Sequence, residues 1–199
     1  MNLFITGTDT DAGKTTVSAW ICSKIETTYL KLVQTGNDSD SAVVRNFAPH
    51  TRILPEIYKL REPLSAYDAA QIEGVNIDVK NFKTPHDKIV IEGAGGLCVP
   101  IADNFLMIDA IKKMNAGALL VSRSKLGMIN HILLSVSALK NKNIPIIGIV
   151  ISGNIEPQLV DTIEHFSSEK VLAILPESDN LKNLFTKTEL PNEIMEVLR

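Results

Sequence analysis

Aromatic side chains are scarce in this chain: one Trp, three Tyr and six Phe among 199 residues. So few leave little for the stacking platforms of a single-strand nucleic-acid groove. A basic excess is missing too. Twenty Lys and Arg stand against 23 Asp and Glu, a formal charge of −3, which argues against a general nucleic-acid binder. There are only two cysteines, Cys22 and Cys98. Two thiols with no histidine at ligand spacing do not complete a tetrahedral zinc site. Both lie in apolar stretches, so the expectation is two buried thiols in a reducing compartment. No segment approaches the ~20 apolar residues of a membrane span. The apolar start, Met1 to Ile5, turns polar at Thr6 and has no basic flank, unlike a signal peptide. These absences lead us to expect a cytoplasmic protein.

What is present reads as one domain over residues 1–199, without repeats or low-complexity segments. Hydrophobic residues make up 45% and charged residues 22%, enough for a sizeable core in a chain of this length. Strand-like apolar runs fall at 3–6, 30–33, 89–91, 118–121, 146–151 and 171–174. Helical spacing falls at 15–25, where Val17, Trp20, Ile21 and Ile25 share a face, and at about 65–73, 105–115, 128–142 and 156–167. Several strand runs are continuously apolar, as expected of strands buried on both faces of a parallel sheet. Strands alternating with helices predict an α/β fold: a doubly wound, mostly parallel sheet flanked by helices. Such sheets bind ligands outside the carboxyl ends of their strands.

The strongest motif stands at such an end. Gly7-Thr8-Asp9-Thr10-Asp11-Ala12-Gly13-Lys14-Thr15 follows the first strand and opens a helix. Backbone N–H groups at a helix start hold anions, Lys14 adds a point charge for phosphate oxygens, and Thr15 offers a hydroxyl to Mg2+. The literal pattern G-x-x-x-x-G-K-[ST] needs glycine at position 8, where this chain has Thr8. It is a deviant phosphate loop, and with it the expected doubly wound sheet is of the P-loop NTPase type.

Four further features sit near strand ends. Lys31 lies inside an apolar strand, where its charge needs a partner unless the strand is a short edge and the lysine reaches water. Glu92 directly follows Lys88-Ile89-Val90-Ile91 and precedes a glycine-rich turn, a position suited to Mg2+ or its bound water. Asp38 and Asp40 are a second potential metal source, although Asp40 also reads as a helix cap. Lys125-Leu126-Gly127-Met128-Ile129-Asn130-His131 opens a long helix, either as a second anion site or as an ordinary strand-to-helix turn. A general-base role for His131 is the weaker reading beside a structural one.

Together and in this order these pieces resemble the dethiobiotin synthetase family, from Leu3 to about Pro176. The most specific matches are Gly7-Thr8-Asp9-Thr10 with Gly13-Lys14-Thr15, the Lys31 strand with Thr35-Gly36, Glu92-Gly93-Ala94-Gly95-Gly96, and Lys125-Leu126-Gly127 with Asn130-His131. The resemblance implies an ATP-dependent cyclo-ligase that uses Mg2+, CO2 and 7,8-diaminononanoate. The diamine captures CO2 as a carbamate, the carbamate is phosphorylated, and the second amine closes a ureido ring. It implies Lys31 and Lys14 as catalytic lysines, and Thr15, Asp40 and Glu92 as metal-binding. Nucleotide contacts are implied for Thr10, Asp11, Ala12, Gly13, Lys14, Thr15 and Thr16, for Asp40, Glu92, Gly93, Ala94 and Gly95, and for Ser152, Gly153, Pro176, Glu177 and Ser178. Thr35 joins Lys31 on the substrate, whose carboxylate meets Gly127, Met128 and Asn130 of a neighbouring subunit, which implies a homodimer. The chemistry fits this division: every intermediate is anionic, so fixed cations and N–H dipoles are the main catalytic resource.

Three departures from the family pattern stand out. A Ser-Pro-His run reads Ser65-Ala66-Tyr67 here, Ser152 stands where relatives often carry an adenine-reading asparagine, and the segment after Pro176 looks short and polar. Weaker base selectivity is the expectation. Two rival readings share the fold: a regulatory ATPase of the ParA/MinD type, and a P-loop amidoligase or kinase acting on another small acid. Against the first, Thr6-Gly7-Thr8 lacks the second lysine of that class, and no basic amphipathic tail is visible.

Overall fold

The computed structural model describes all 199 residues. From the start, β1 (Asn2–Gly7) leads into α1 (Lys14–Lys24), then β2 (Thr28–Lys31), β3 (Val33–Thr35) and α2 (Asp40–Phe47). Two short strands, β4 (Arg52–Ile53) and β5 (Tyr58–Leu60), precede α3 (Ala66–Glu73). The glycine-rich strand β6 (Val90–Gly96) is followed by the small hairpin β7 (Pro100–Ala102) and β8 (Phe105–Leu106), then α4 (Met107–Lys113). The second half alternates as β9 (Ala116–Arg123), α5 (Met128–Asn141), β10 (Ile146–Ser152), α6 (Pro157–Ser167) and β11 (Val171–Leu175). Two short helices, α7 (Leu181–Lys187) and α8 (Asn192–Leu198), end the chain.

Seven strands form the main sheet in the order β11-β10-β9-β1-β6-β2-β4, every neighbouring pair parallel. The continuously apolar runs have the predicted cause. All six residues of central β1 are buried, because Leu3 and Ile5 pack on one face and Phe4 on the other. The first face carries Val17, Trp20 and Ile21 of α1 with Phe185, Ile194 and Leu198 near the C-terminus. The second face carries α3 and α4, and α5 and α6 close over Leu120, Ile149 and Ile151. Each such buried side chain stabilises the fold by roughly 1.5–3 kcal/mol relative to leaving it in water. No helix is long and apolar enough to cross a membrane.

Several details differ from the sequence reading. The run at 30–33 is two strands. β2 pairs β6, while β3 leaves the main sheet to pair β5. The glycines after Glu92 continue β6 rather than stopping it. Asp40 is not the cap of α2: the Ser39 side chain accepts from the Ala42 N–H at 3.2 Å, and Asp40 is the first helical residue. Ser65 caps α3 in the same way, so Ala66 takes the first helical position, where proline is also favoured. The stretch after Pro176 is not simply polar, since Phe185, Ile194, Val197 and Leu198 are buried. Trp20 Nε1 donates to the Thr188 carbonyl at 3.3 Å and ties this region to α1. Cys22 is buried as expected, but Cys98 is exposed. It lies in the tight connection from β6 to β7, where Leu97 turns inward and its neighbour turns out.

Candidate active site

The carboxyl ends of β1, β2, β6 and β9 open into a cavity of about 480 Å³ at the start of α1. Gly13 caps α1 at φ +96°, the left-handed conformation that glycine adopts most cheaply. A Cβ there would also lie 2.5 Å from Ser152 Oγ, so the loop is held tightly against β10. Thr10, Asp11, Gly13, Lys14, Thr15 and Thr16 line the cavity, with α1's free N–H groups behind them. Lys14 is 5% exposed and donates to the carbonyls of Asp9 at 3.0 Å and Thr10 at 2.9 Å. Burial, reinforced by the nearby Lys31 charge, lowers its pKa to about 8. Asp9 pins the loop from outside through Lys125, 2.8 Å away.

Glu92 is fully buried at the centre of a charged cluster. Its Oε1 accepts from Thr15 Oγ1 at 2.8 Å and from Lys31 Nζ at 2.9 Å, and its Oε2 accepts from Tyr29 OH at 2.9 Å. Lys31 also donates to the Gly93 carbonyl at 3.0 Å and pairs with Asp40. The edge-strand alternative for Lys31 therefore fails: β2 is flanked on both sides, and the lysine is 3% exposed. Burial alone would lower its pKa, but Glu92 and Asp40 outweigh that and raise it, so Lys31 stays charged. Burial works to raise the Asp40 pKa, and Lys31 outweighs it in turn, leaving that carboxyl below its usual value. Tyr29 escaped the sequence reading. The signal that would have found it is its i, i+2 spacing from Lys31, which puts both on one face of β2.

The donor set suits a hard cation. Thr15, Asp40 and Glu92 offer only oxygens, and two carboxylates are what Mg2+ takes from a protein when phosphate oxygens and water complete its shell. The walls carry Lys14, Lys31 and Arg123 against Asp11, Asp38, Asp40 and Glu92. An anionic triphosphate would add to that negative side, so a divalent cation is the natural compensation.

Thr35, Ala94 and Gly95 complete the expected lining, and Val33, Gln34, Asp38 and Arg123 join it. Other expected residues lie apart. Ala12 is buried behind the loop and Gly93 meets Lys31 through its carbonyl. Ser152 packs on Gly13, and Gly153 follows it with its N–H on the Leu175 carbonyl at 2.8 Å. Pro176, Glu177 and Ser178 are exposed beyond the end of β11. Gly127 caps α5 at φ +89° and, with Met128, lines a separate hollow. Asn130 is exposed on α5 and takes no part in the cavity of its own chain. His131 faces a groove beside Cys98 and also stands outside the cavity.

A family model described as an AAA domain matches residues 1–184. The ATP-dependent dethiobiotin synthetase BioD of Lawsonia intracellularis is 39% identical over 195 residues, covering 96% of this chain and 94% of that protein. The enzyme of the same name from Paramagnetospirillum magneticum is 41% identical over 175 residues, 86% of this chain and 85% of its own. Among solved structures, a ParA family ATPase from Chlorobium tepidum superposes with a TM-score of 0.56 at 10% identity, covering 98% of this chain and 92% of that one. The MinD cell division protein of Aquifex aeolicus gives 0.57 at 13%, with 93% and 86% covered. At such low identity these two show the P-loop fold alone.

Proposed function

The chain belongs to the ATP-dependent dethiobiotin synthetase family, and from that premise we propose how its residues divide the work of closing a ureido ring. The overall reaction is an ATP-dependent cyclo-ligation in biotin biosynthesis. One amine of the substrate diamine attacks CO2 and loses a proton, giving a carbamate. A carbamate oxygen attacks the γ-phosphorus and ADP leaves. The second amine then attacks the carbonyl carbon, phosphate leaves, and a second proton is lost.

The observation that carries the assignment of roles is Lys31: a buried, charged amine that lines the same cavity as the phosphate loop and Thr35. In this reading Lys14 and the N–H groups of Gly13 to Thr16 bind the β- and γ-phosphates. Lys31 offers its ammonium protons to the carbamate and transferring phosphoryl oxygens, where charge develops. Thr35, which lines the same cavity, orients the diamine. Thr15, Asp40 and Glu92 hold Mg2+, which neutralises phosphate charge when bound, and Tyr29 fixes one oxygen of Glu92. No protein nucleophile is required, because the substrate supplies both amines. Ser152, Gly153 and Pro176 to Ser178 flank the base.

A homodimer belongs to the same reading. The free face of α5 presents exposed Asn130 and Leu134, the latter 63% exposed, and Leu126 before it is fully exposed. A second copy seated there covers these apolar side chains and brings Gly127, Met128 and Asn130 to the partner's cavity, where the N–H groups of Gly127 and Asn130 take the substrate carboxylate, the Met128 N–H being held by the Lys125 carbonyl at 3.0 Å. A cytoplasmic location, with its supply of ATP and its reducing thiol pool, suits the unpaired Cys98. A thermal-melting panel tests the site: ATP with Mg2+ should raise the midpoint, and adding the diamine with bicarbonate should raise it further. A shift from nucleotide with none from the diamine would leave a phosphate-loop ATPase but remove the proposed substrate.

A further inference from the structure

One cation of the phosphate cavity has no part in the chemistry above. Arg123 is the last residue of β9, on the same sheet face as Leu119 and Val121, the face that carries α1. Its register partner on β10 is Ser152, which packs on Gly13. Its Nη2 lies 3.4 Å from Glu177 Oε1, and Glu177 stands two residues past the end of β11. Because the strands run in the order β11-β10-β9, this ion pair spans the carboxyl end of β10. It therefore bridges the phosphate cavity and the strand ends that flank the proposed base position.

The other two cations have several partners within the protein, which the ligand oxygens assigned to them above must share or displace: Lys14 two loop carbonyls, and Lys31 two carboxylates and a carbonyl. Arg123 differs. A guanidinium has five N–H donors, and here a single contact, at the long limit of hydrogen bonding, engages them. The side chains of Arg123 and Glu177 are 52% and 67% exposed, so water competes with the pair and holds it weakly. A planar fork of donors lining a phosphate site matches phosphate oxygens two at a time.

We propose that Arg123 contacts the phosphates of the bound nucleotide and that Glu177 is its competing acceptor, displaced when the nucleotide enters. The proposal rests on the nucleotide reading of the cavity. A phosphate contact is blind to the base, so Arg123 supplies affinity without selectivity, and Glu177 lowers that affinity.

The test is the dissociation constant of ATP, GTP and CTP, with Mg2+ and without diamine, for wild type, Arg123→Gln, Arg123→Lys, Glu177→Gln and the double Gln variant. Arg123→Gln should weaken all three nucleotides by a common factor of about ten or more, the size of a hydrogen bond to a charged group. Arg123→Lys should recover part of the loss by restoring the charge without the fork. Glu177→Gln should tighten binding, by up to about fivefold for an exposed pair, and the double variant should match Arg123→Gln. Opposite signs from the two single variants are what general damage to the fold does not produce, and their melting midpoints without nucleotide should stay at the wild-type value. Unchanged affinity in Arg123→Gln, weaker binding in Glu177→Gln, or a loss confined to one base would overturn the proposal. A wild type that binds no nucleotide would overturn the cavity reading itself, a result distinct from all of these.

Discussion

Replacing Lys14 with methionine should stabilise the ligand-free protein while removing its response to nucleotide. Lys14 is 5% exposed and its pKa falls from 10.5 to about 8, chiefly through burial and then through repulsion from Lys31. Each unit is worth about 1.4 kcal/mol, so keeping this lysine charged costs the folded state about 3 kcal/mol at pH 7. The side chain's hydrogen bonds to the Asp9 and Thr10 carbonyls are lost in the variant, at about 1 kcal/mol each. A net gain of about 1–2 kcal/mol remains, or roughly 2–8 °C in Tm for a domain of this size. The pH dependence has a definite sign. A lysine with a lowered folded pKa penalises folding in full below about pH 8. The penalty fades as pH rises and is gone near the unfolded value of 10.5, because the unfolded state binds more protons across that window. The advantage of Lys14→Met over wild type should therefore fall by about 3 kcal/mol from pH 8 to 10.5 and change sign, because the variant still lacks the two hydrogen bonds once the penalty is gone. Lys31 acts in the opposite sense, since its raised pKa contributes stability that is present below 10.5 and is lost as pH rises through the higher folded value. Urea unfolding of both proteins, with and without ATP and Mg2+, measures all of this. A variant less stable than wild type at pH 7 that still gains stability from nucleotide would refute the reasoning.

Three further outcomes follow from the same site. Glu92→Gln should raise the Mg2+ concentration needed for half-maximal activity and lower stability by about 1–3 kcal/mol, because Lys31 keeps Asp40 but loses its nearer-buried partner; unchanged Mg2+ dependence on titration would remove Glu92 from the metal site. Asn130→Ala should raise KM for the diamine more than for ATP, and mixing it with Lys31→Ala should restore activity through hybrid dimers in which one composite site is intact; no recovery after verified subunit exchange would count against a shared site. Ser152→Asn should sharpen the preference for ATP over GTP and CTP by a few-fold to about tenfold, one good hydrogen-bond pair, once the longer side chain turns away from Gly13 into the strand-end crevice; equal kcat/KM ratios in both proteins would put base recognition elsewhere.

Long strands and the loops that follow them were legible in the sequence because burial on both faces leaves an unbroken apolar run. Thus β1, β9 and β10 stand where the runs at 3–6, 118–121 and 146–151 predicted. The short elements were not. α7 and α8 span seven residues each and anchor through scattered side chains, Phe185 in one and Ile194, Val197 and Leu198 in the other. So few apolar residues make no periodic signal, and tertiary packing decides them. Lys14, Lys31, Thr15 and Glu92 were legible as a motif and as charges at strand ends. Tyr29 and Arg123 were not, since a tyrosine in a strand and an arginine after an apolar run look ordinary until the sheet order places them beside Glu92 and the phosphate loop. Cys98 shows the reverse error, where apolar neighbours in sequence suggested burial that a tight connection does not provide.

The central claim is tested most directly by supplying the purified protein with 7,8-diaminononanoate, 13C-bicarbonate, ATP and Mg2+ and following the label by NMR and mass spectrometry. The account predicts 13C in the ureido carbonyl of dethiobiotin, one ADP and one phosphate released per ring closed, and no product from Lys31→Ala. Phosphate release that proceeds at the same rate without the diamine, with no labelled ring formed, would contradict it.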